Sequence, residues 1–286
     1  MNSPKYLDHC PIGCDSDLND TDIFLPEGCL KICSQCDQLI SQCSEQVFQK
    51  SMEEFDDPMG TWPTPKTTHS LIRSTRKILK EIEAVTGIDR SQIRLLDVGC
   101  SNGAFIHVAN KMGMNCEGVE PAKEAAQAAQ ESGLKVSHGF LEEVDFPDNS
   151  FNVITIFEVI EHLKDPLSLL KECRRLLKPA GILGIRTGNT DSWTAKIFKG
   201  QWHYFNIEKH GGHISFFNKK SMFALAQNAG FKVERFQTHR VSYCEQDQSL
   251  YLIRRLLKIL AELSNLPAKL SGKGHEMRVY LSDHSA

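Results

Sequence analysis

An apolar run that meets an acid and then two glycines four residues apart constrains this chain more than any other feature. Ile93, Leu95, Leu96 and Val98 surround Asp97, and Gly99-Cys100-Ser101-Asn102-Gly103 follows at once. Ala104, Phe105, Val108, Ala109 and Met112 then recur at helical spacing. The pattern predicts strand, tight turn and helix, with the turn at the carboxyl end of a parallel strand, where open α/β sheets bind ligands. Gly99 and Gly103 permit a backbone path and a close approach that a Cβ would obstruct. A second short strand, Cys116 to Val119, ends in Glu120, whose carboxylate can accept both hydroxyls of a ribose. Together these residues predict a nucleoside-binding site.

A dinucleotide fingerprint requires G-x-G-x-x-G, so that helix N-terminal amides cradle a pyrophosphate. Here Ser101 stands at the middle glycine. Asp97 precedes the turn, and an acid there repels a pyrophosphate but suits a ligand carrying an ammonium group. S-adenosylmethionine (SAM) has an ammonium, a sulfonium and a ribose. The stretch resembles the first motif of the class I SAM-dependent methyltransferases, roughly D-x-G-x-G-x-G followed by a ribose-binding acid after the second strand. Ser101 replaces that family's central glycine. Val136 to Glu143 resembles the segment that flanks the adenine. Phe151 to Phe157 is a continuous apolar strand suited to burial on both faces, and Glu158 to Pro166 follows it.

The resemblance spans roughly residues 70 to 282. It implies an α/β fold with a seven-stranded, mostly parallel Rossmann-like sheet and helices on both faces. It also implies that Asp97, Gly99, Cys100, Ser101, Gly103 and Glu120 bind the cofactor, with Phe140 and Phe157 flanking its adenine or methionine side.

Composition fits one sizeable domain plus a small module: 41% of the 286 residues are hydrophobic and 24% charged. We divide the chain into a Cys-rich module over 1–50, a proline-rich linker over 51–65 and the methyltransferase domain over 66–286. A formal net charge of -3 supplies no basic field for nucleic-acid phosphates. No apolar run approaches the roughly 20 residues of a membrane span, and the polar N-terminus predicts no secretory signal. A cytoplasmic location is the expectation, in which ten cysteines serve as metal ligands or buried thiols rather than disulfides.

Two of the cysteine pairs stand out. Cys10 and Cys14 are separated from Cys33 and Cys36 by 18 residues, within the range of about 15–20 seen in zinc ribbons. Four thiolates on two turns can close a tetrahedron around a structural Zn²⁺. The C-x-x-x-C spacing of the first pair leaves Cys29, Cys43 and His9 as substitute ligands. Free cysteines in a poorly ordered tail are the alternative. Metal binding should supply most of this module's folding energy, leaving the main domain intact without it.

Residues 66–86 carry Leu71, Ile72, Ile78, Leu79 and Ile82 on one helical face. By the resemblance, this helix caps the cofactor pocket. Residues 170–178 read as a helix that Pro179-Ala180-Gly181 breaks before the strand Ile182 to Ile185. Phe231 to Phe236 and Glu276 to Leu281 predict two late strands, matching the family's terminal antiparallel hairpin. Leu250, Ile253, Leu256, Leu257, Leu260 and Leu263 between them mark a helix with a broad apolar face, expected to pack on the core. Residues 189–218 form a loop dense in aromatics and imidazoles, including Trp193, Trp202, His203, Tyr204, His210 and His213. Aromatic-lined clefts bind small organic molecules. Histidine is the side chain best suited to remove a hydroxyl proton near neutral pH. His213, in a segment that resembles the H-x-x-F-F of many small-molecule methyltransferases, is the candidate general base, with His210 behind it.

Glu158, Glu161 and His162 have i, i+3, i+4 spacing, which puts them on one helical face as a candidate divalent-metal set. The pattern is similar to that of quinone-biosynthesis O-methyltransferases, where the matching residues are associated with magnesium. The function expected is methyl transfer from SAM to a small-molecule acceptor at oxygen. The rival readings are a protein or RNA methyltransferase gripping its substrate with the Cys module, and a zinc-binding adaptor with a vestigial catalytic domain.

Overall fold

The computed structural model describes residues 5–53, 65–207, 212–244 and 251–284. The N-terminal segment forms β1 (Leu18–Leu25), β2 (Gly28–Cys33), β3 (Leu39–Ile40) and α1 (Glu45–Glu53). After α2 (Pro65–Thr86) the chain alternates strand and helix. It runs through β4 (Arg94–Val98), α3 (Ala104–Lys111), β5 (Asn115–Glu120), α4 (Lys123–Glu131), β6 (Val136–His138) and β7 (Phe151–Phe157). Then come α5 (Pro166–Leu176), β8 (Leu177–Gly188), α6 (Trp193–Phe198), β9 (Ser215–Phe216) and α7 (Lys219–Asn228). The chain closes with β10 (Phe231–His239), α8 (Tyr251–Ser271) and β11 (Glu276–Asp283).

Among the described residues, seven strands make one sheet in the order β10-β11-β8-β7-β4-β5-β6. The pairings of β4 with β5 and β7, β5 with β6, and β7 with β8 are parallel, while β11 runs antiparallel to both β8 and β10. Helices cover both faces, so the central strands read as unbroken apolar runs: Val153, Ile154 and Ile156 have no more than a trace of exposure. One face packs Ile78, Leu79 and Ile82 of α2 and Ile106 of α3 on Leu95 and Val153. The other packs Leu170, Cys173 and Leu176 of α5 and Met222 and Leu225 of α7 on Ile154, Ile156 and Leu183. After β4 the chain fills one side of the sheet and then crosses to β7. The carboxyl ends of β4 and β7 are therefore a topological switch point, where such sheets leave a crevice.

Three local expectations are corrected. Helix α5 ends at Leu176 rather than 178, because Leu177 already pairs with Phe151 at the start of β8. Residues 189–218 are not a plain loop: they include α6 and β9. Helix α8 leaves leucines in solvent rather than in the core: Leu256, Leu260 and Leu263 are 66%, 50% and 71% exposed, and among its described side chains Ala268 is the buried one. Ala268 lies against β10, its carbonyl accepting from the Thr238 hydroxyl. Leu250 and residues 54–64 of the expected linker lie outside the described residues.

The cysteine-rich segment shares a sheet with the main domain. Strands β1, β2 and β3 continue into β9, with Leu39 opposite Phe216 and Ile40 opposite Ser215. Leu30 and Leu39 pack with Trp202, Tyr204, Phe205 and Phe216 in one buried cluster. Phe216 meets Phe205 edge to face, with centroids 4.7 Å apart. Phe216→Ala should therefore cost about 3–5 kcal/mol, read as a shift in the denaturant midpoint. It should loosen the N-terminal sheet and the 189–218 segment together, which backbone amide exchange would report.

Candidate active site

The turn after β4 is built on left-handed backbone. Gly99 has φ +70 and Ser101 φ +49, and Gly103 caps α3. A Cβ on Gly99 would come within 2.4 Å of Val159 Cγ2, so the turn closes against the end of β7 only with glycine there. The Gly99 and Cys100 amides donate to the Val119 carbonyl at 2.9 and 3.2 Å. Glu120 completes the bed. Its carboxylate accepts from the Ser101 amide at 2.7 Å and the Ala122 amide at 2.9 Å, locking the acid at the end of β5 beside the turn. A carboxylate oxygen has two acceptor lone pairs, so a ligand hydroxyl can share this acid with the amides.

Asp97 is buried below this bed, where Thr155 Oγ1 donates to it at 2.6 Å. Burial, only partly offset by Thr155 and Arg186, pushes its pKa up to about 7. Phe140 stands exposed past β6, its amide donating to Glu143 and the adjacent Gly139 amide to the Glu120 carbonyl. Phe157 packs edge to face on Phe105 and lies under the Arg186 guanidinium, 5.0 Å from its centroid. Of the predicted cofactor set, Cys100 turns its side chain inward, against Gly118.

A second group of acids lies at the carboxyl ends of β7 and β8. The Tyr204 hydroxyl is 2.6 Å from Glu158 Oε2 and in hydrogen-bond contact with Glu161 Oε1. Thr187 Oγ1 donates to the other Glu161 oxygen at 2.9 Å, and Arg186 Nε to Glu158 at 2.9 Å. One hydroxyl proton cannot serve both carboxylates at once, so the three groups titrate as a coupled set. Burial, reinforced by Glu161, pushes Glu158 up to about 7, and burial raises Glu161 and Tyr204 as well. Tyr204 fits because Gly188 has no side chain: a Cβ there would meet the tyrosine ring at 2.6 Å.

His213, 4% exposed, sits 2.8 Å through Nδ1 from the Tyr204 carbonyl. A carbonyl only accepts, so Nδ1 carries the hydrogen and Nε2 the lone pair in the neutral ring. That Nε2 is 3.8 Å from Glu161 Oε1, and the His162 ring lies beside it with centroids 4.7 Å apart. His203 stacks on His275. His210 lies outside the described residues.

The predicted metal set of Glu158, Glu161 and His162 does not form. Glu158, with φ +57, precedes the helical turn Ile160–His162 rather than belonging to it, and it is engaged by Arg186 and Tyr204. The residues whose ligand atoms converge within 4.8 Å are Glu161, His162 and His213. One carboxylate and two imidazoles are a poor set for magnesium, which prefers oxygen.

The four cysteines are a better match to zinc. The sulfurs of Cys10, Cys14, Cys33 and Cys36 lie within 4.8 Å of one another, with Cys10 and Cys36 3.6 Å apart. A tetrahedral zinc with about 2.3 Å bonds needs sulfurs roughly 3.8 Å apart. Gly13 and Asp37, both at positive φ, turn the two knuckles. Cys29 and Cys43 lie elsewhere, Cys29 donating to Asp20. The knuckle leads straight into β3. From there Ser41 N donates to Ile214 O at 2.8 Å, and Ile214 N to Glu161 O at 3.0 Å.

A cavity of about 910 Å³ opens beside these groups. Glu158, His162, Arg186, Tyr204 and His213 line one end; Lys77, His239, Lys269 and Arg278 line the other. Sequence reasoning placed Tyr204 only among the aromatics of the 189–218 segment and assigned no role to Arg186 or any of the far cations. They come from separate elements, and no local pattern marks them.

A family model described as a methyltransferase domain matches residues 69–235. The chain is 38% identical over 107 residues to the ubiquinone biosynthesis O-methyltransferase of Actinobacillus pleuropneumoniae serotype 7, covering 34% of this chain and 46% of the relative. It is 28% identical over 159 residues to the enzyme of the same name from Xanthomonas euvesicatoria, covering 52% and 66%. The chain thus spans between about half and two thirds of these curated relatives. A SAM-dependent methyltransferase structure from Thermotoga maritima, described as a possible histamine N-methyltransferase, superposes with TM-score 0.54 at 18% identity, covering 83% of this chain and 99% of the other. One from Archaeoglobus fulgidus gives 0.50 at 16%, covering 72% and 93%. At these identities the likeness concerns the fold.

The buried Asp97 leaves a pH signature. Its folded pKa, about 7, lies above the unfolded value of roughly 4. Between those values the native state holds a proton that the unfolded chain releases, so this group's contribution falls as pH rises and is fully lost above about 7. Asp97→Asn should gain stability relative to the natural protein by on the order of 1 kcal/mol per pH unit across that window. Denaturant melts at pH 4.5, 5.5, 6.5 and 8 test this; a constant difference would contradict it.

Proposed function

The chain belongs to the methyltransferase-domain family, and from that premise we propose that it transfers a methyl group from SAM to a small-molecule acceptor at oxygen. The observation that carries this reading is Glu120 locked by two amides beside the left-handed turn at the carboxyl edge of the sheet. In this reading Glu120 accepts from the ribose hydroxyls, the 99–103 backbone beds the methionine end, and Phe140 flanks the adenine. Asp97 sits below as a buried acid biased toward a cationic ligand. Phe157 faces the methionine side under Arg186. The names of the curated relatives support oxygen as the acceptor atom.

Methyl transfer is an in-line displacement at carbon, so alignment of acceptor and sulfonium is the main task. A hydroxyl acceptor must also lose its proton. His213 is suited to take it at Nε2, because its Nδ1 hydrogen is fixed on the Tyr204 carbonyl and Glu161 stands 3.8 Å away to stabilise the imidazolium formed. Cys10, Cys14, Cys33 and Cys36 hold one structural zinc in this account. The ion's part is to fix the knuckle from which β3 braces the His213 segment.

Glu120→Ala should weaken S-adenosylhomocysteine binding at least tenfold by calorimetry, since each charge-assisted hydrogen bond contributes about 1.5–3 kcal/mol. His213→Ala should leave that affinity unchanged. With an acceptor found by mass spectrometry of a metabolite extract incubated with labelled SAM, it should lower turnover by about 10²–10⁴-fold. Normal turnover would return His213 to a structural role.

Elemental analysis should give about one zinc per chain, falling in the double variant Cys33→Ser, Cys36→Ser. Chelation should open protease sites in 189–218 as well as in 1–50, because the two segments share β3 and β9. Cleavage confined to residues 1–50 would contradict the bracing role.

A further inference from the structure

The chain carries a net charge of -3, yet the far end of the cavity is lined by cations. Lys77 and Arg73 come from α2, Lys269 from α8 and Arg278 from β11, and Arg240 directly follows β10. The nearby acids are already engaged. Glu81 is bound by the Arg278 guanidinium and by the Tyr280 hydroxyl at 3.0 Å, Glu276 is 3.6 Å from Arg240, and Glu158 holds Arg186. Arg73, Lys77 and Lys269 make no ion pair among the described residues. Partial burial, reinforced by Arg278, Lys269 and Arg240 and opposed by Glu81, holds the Lys77 pKa below its ordinary value. The wall is short of negative charge.

It also holds buried donors without acceptors. Arg278 is 6% exposed and its Nε has no hydrogen-bond partner. Lys77 Nζ is 3.3 Å from His239 Nδ1. An ammonium only donates, so Nδ1 accepts and the neutral His239 ring carries its hydrogen on Nε2, which is likewise buried without a partner. Burial and the cations around it push His239 down to about 4, so the ring stays neutral. Asn265 Oδ1 is unpartnered too, and a turn of that amide presents its NH₂ to the same space. Two unpartnered N–H groups and two ammonium groups without an ion pair, on four elements, lack an acceptor with negative charge. An orphaned buried donor is destabilising, and an oxyanion removes that cost for both at once.

We propose that this wall is an oxyanion subsite and that the methyl acceptor is an acid. Its carboxylate or phosphate group is held by Lys77, Lys269, Arg278 and His239, while its methylated atom lies at the His213 end. The inference rests on the methyltransferase reading of the cavity and adds the acceptor's class to it. Planar, forked Arg278 and the two mobile ammonium groups suit either oxyanion.

The test uses the full chain saturated with S-adenosylhomocysteine, so that the cofactor's own carboxylate is accounted for. Sodium phosphate and sodium benzoate are titrated at constant ionic strength, and Tm and ligand-observed NMR are followed. At least one should bind saturably, and the preferred anion identifies the acid. Lys77→Gln and Lys269→Gln should each weaken that binding tenfold or more while leaving S-adenosylhomocysteine affinity unchanged. Both side chains are solvent-exposed, so neither change threatens the fold. Absence of saturable binding by either anion, equal binding in the variants, or binding only when S-adenosylhomocysteine is absent would each overturn the inference and leave the methyltransferase reading standing. Failure of S-adenosylhomocysteine itself to bind would overturn that reading and the inference with it.

Discussion

Two backbone hydrogen bonds tie the molecule together, Ser41 N to Ile214 O and Ile214 N to Glu161 O. They make one ladder that runs from the cysteine knuckle, across β3 and the residue before β9, to the backbone carbonyl of Glu161 beyond the end of β7. Everything between is dry: Leu39, Ile40, Ile214 and Phe216 are buried. In such an interior an unpaired amide costs as much as a lost hydrogen bond, so the ladder cannot slip by a residue without exposing polar groups to apolar ones. The position of His213 is thereby set from two sides. Its ring is fixed by Tyr204, and its backbone lies one residue from the ladder.

The same buried region concentrates charge in an ordered way. Acids gather at the carboxyl ends of β4, β5 and β7, as Asp97, Glu120, Glu158 and Glu161. Cations gather a short way off, where α2, β10, β11 and α8 meet. Arg186 lines the same cavity, paired with Glu158 and lying over Phe157. In a low-dielectric cleft such a gradient orients a dipolar or charged ligand far more strongly than it would in water. The cleft thus favours cationic groups at one end and anionic groups at the other.

The cysteine-rich segment is integrated rather than appended. Cys10, Ile12, Cys33 and Cys36 pack in the same cluster as Phe217, Met222 and Leu225. Asn228 donates to the Ile12 carbonyl, and Lys220 pairs with Asp37. A small module with few large apolar residues gains the burial it cannot supply itself by borrowing the surface of α7. The aromatic segment between β8 and α7 gains a sheet partner in return.

Some of this was legible from the chain alone. Period-two and period-3.6 patterning, the turn glycines and Glu120 are local signals, because each depends on residues within a few positions of one another. They determined the parallel sheet, the strand-turn-helix at its centre and the terminal hairpin. The spacing of four cysteines likewise marked the knuckle. The tertiary structure alone decided what long-range contacts control. Glu158 left its expected metal set because a tyrosine 46 residues away and an arginine on the next strand engage it. Helix α8 left its leucines in solvent because it packs beside a polar cavity rather than on the core. The cationic wall of Lys77, His239, Lys269 and Arg278 has no sequence signature at all. Its members are separated by as many as two hundred residues, and only the folding of α2, β10, α8 and β11 against one another makes their charges neighbours.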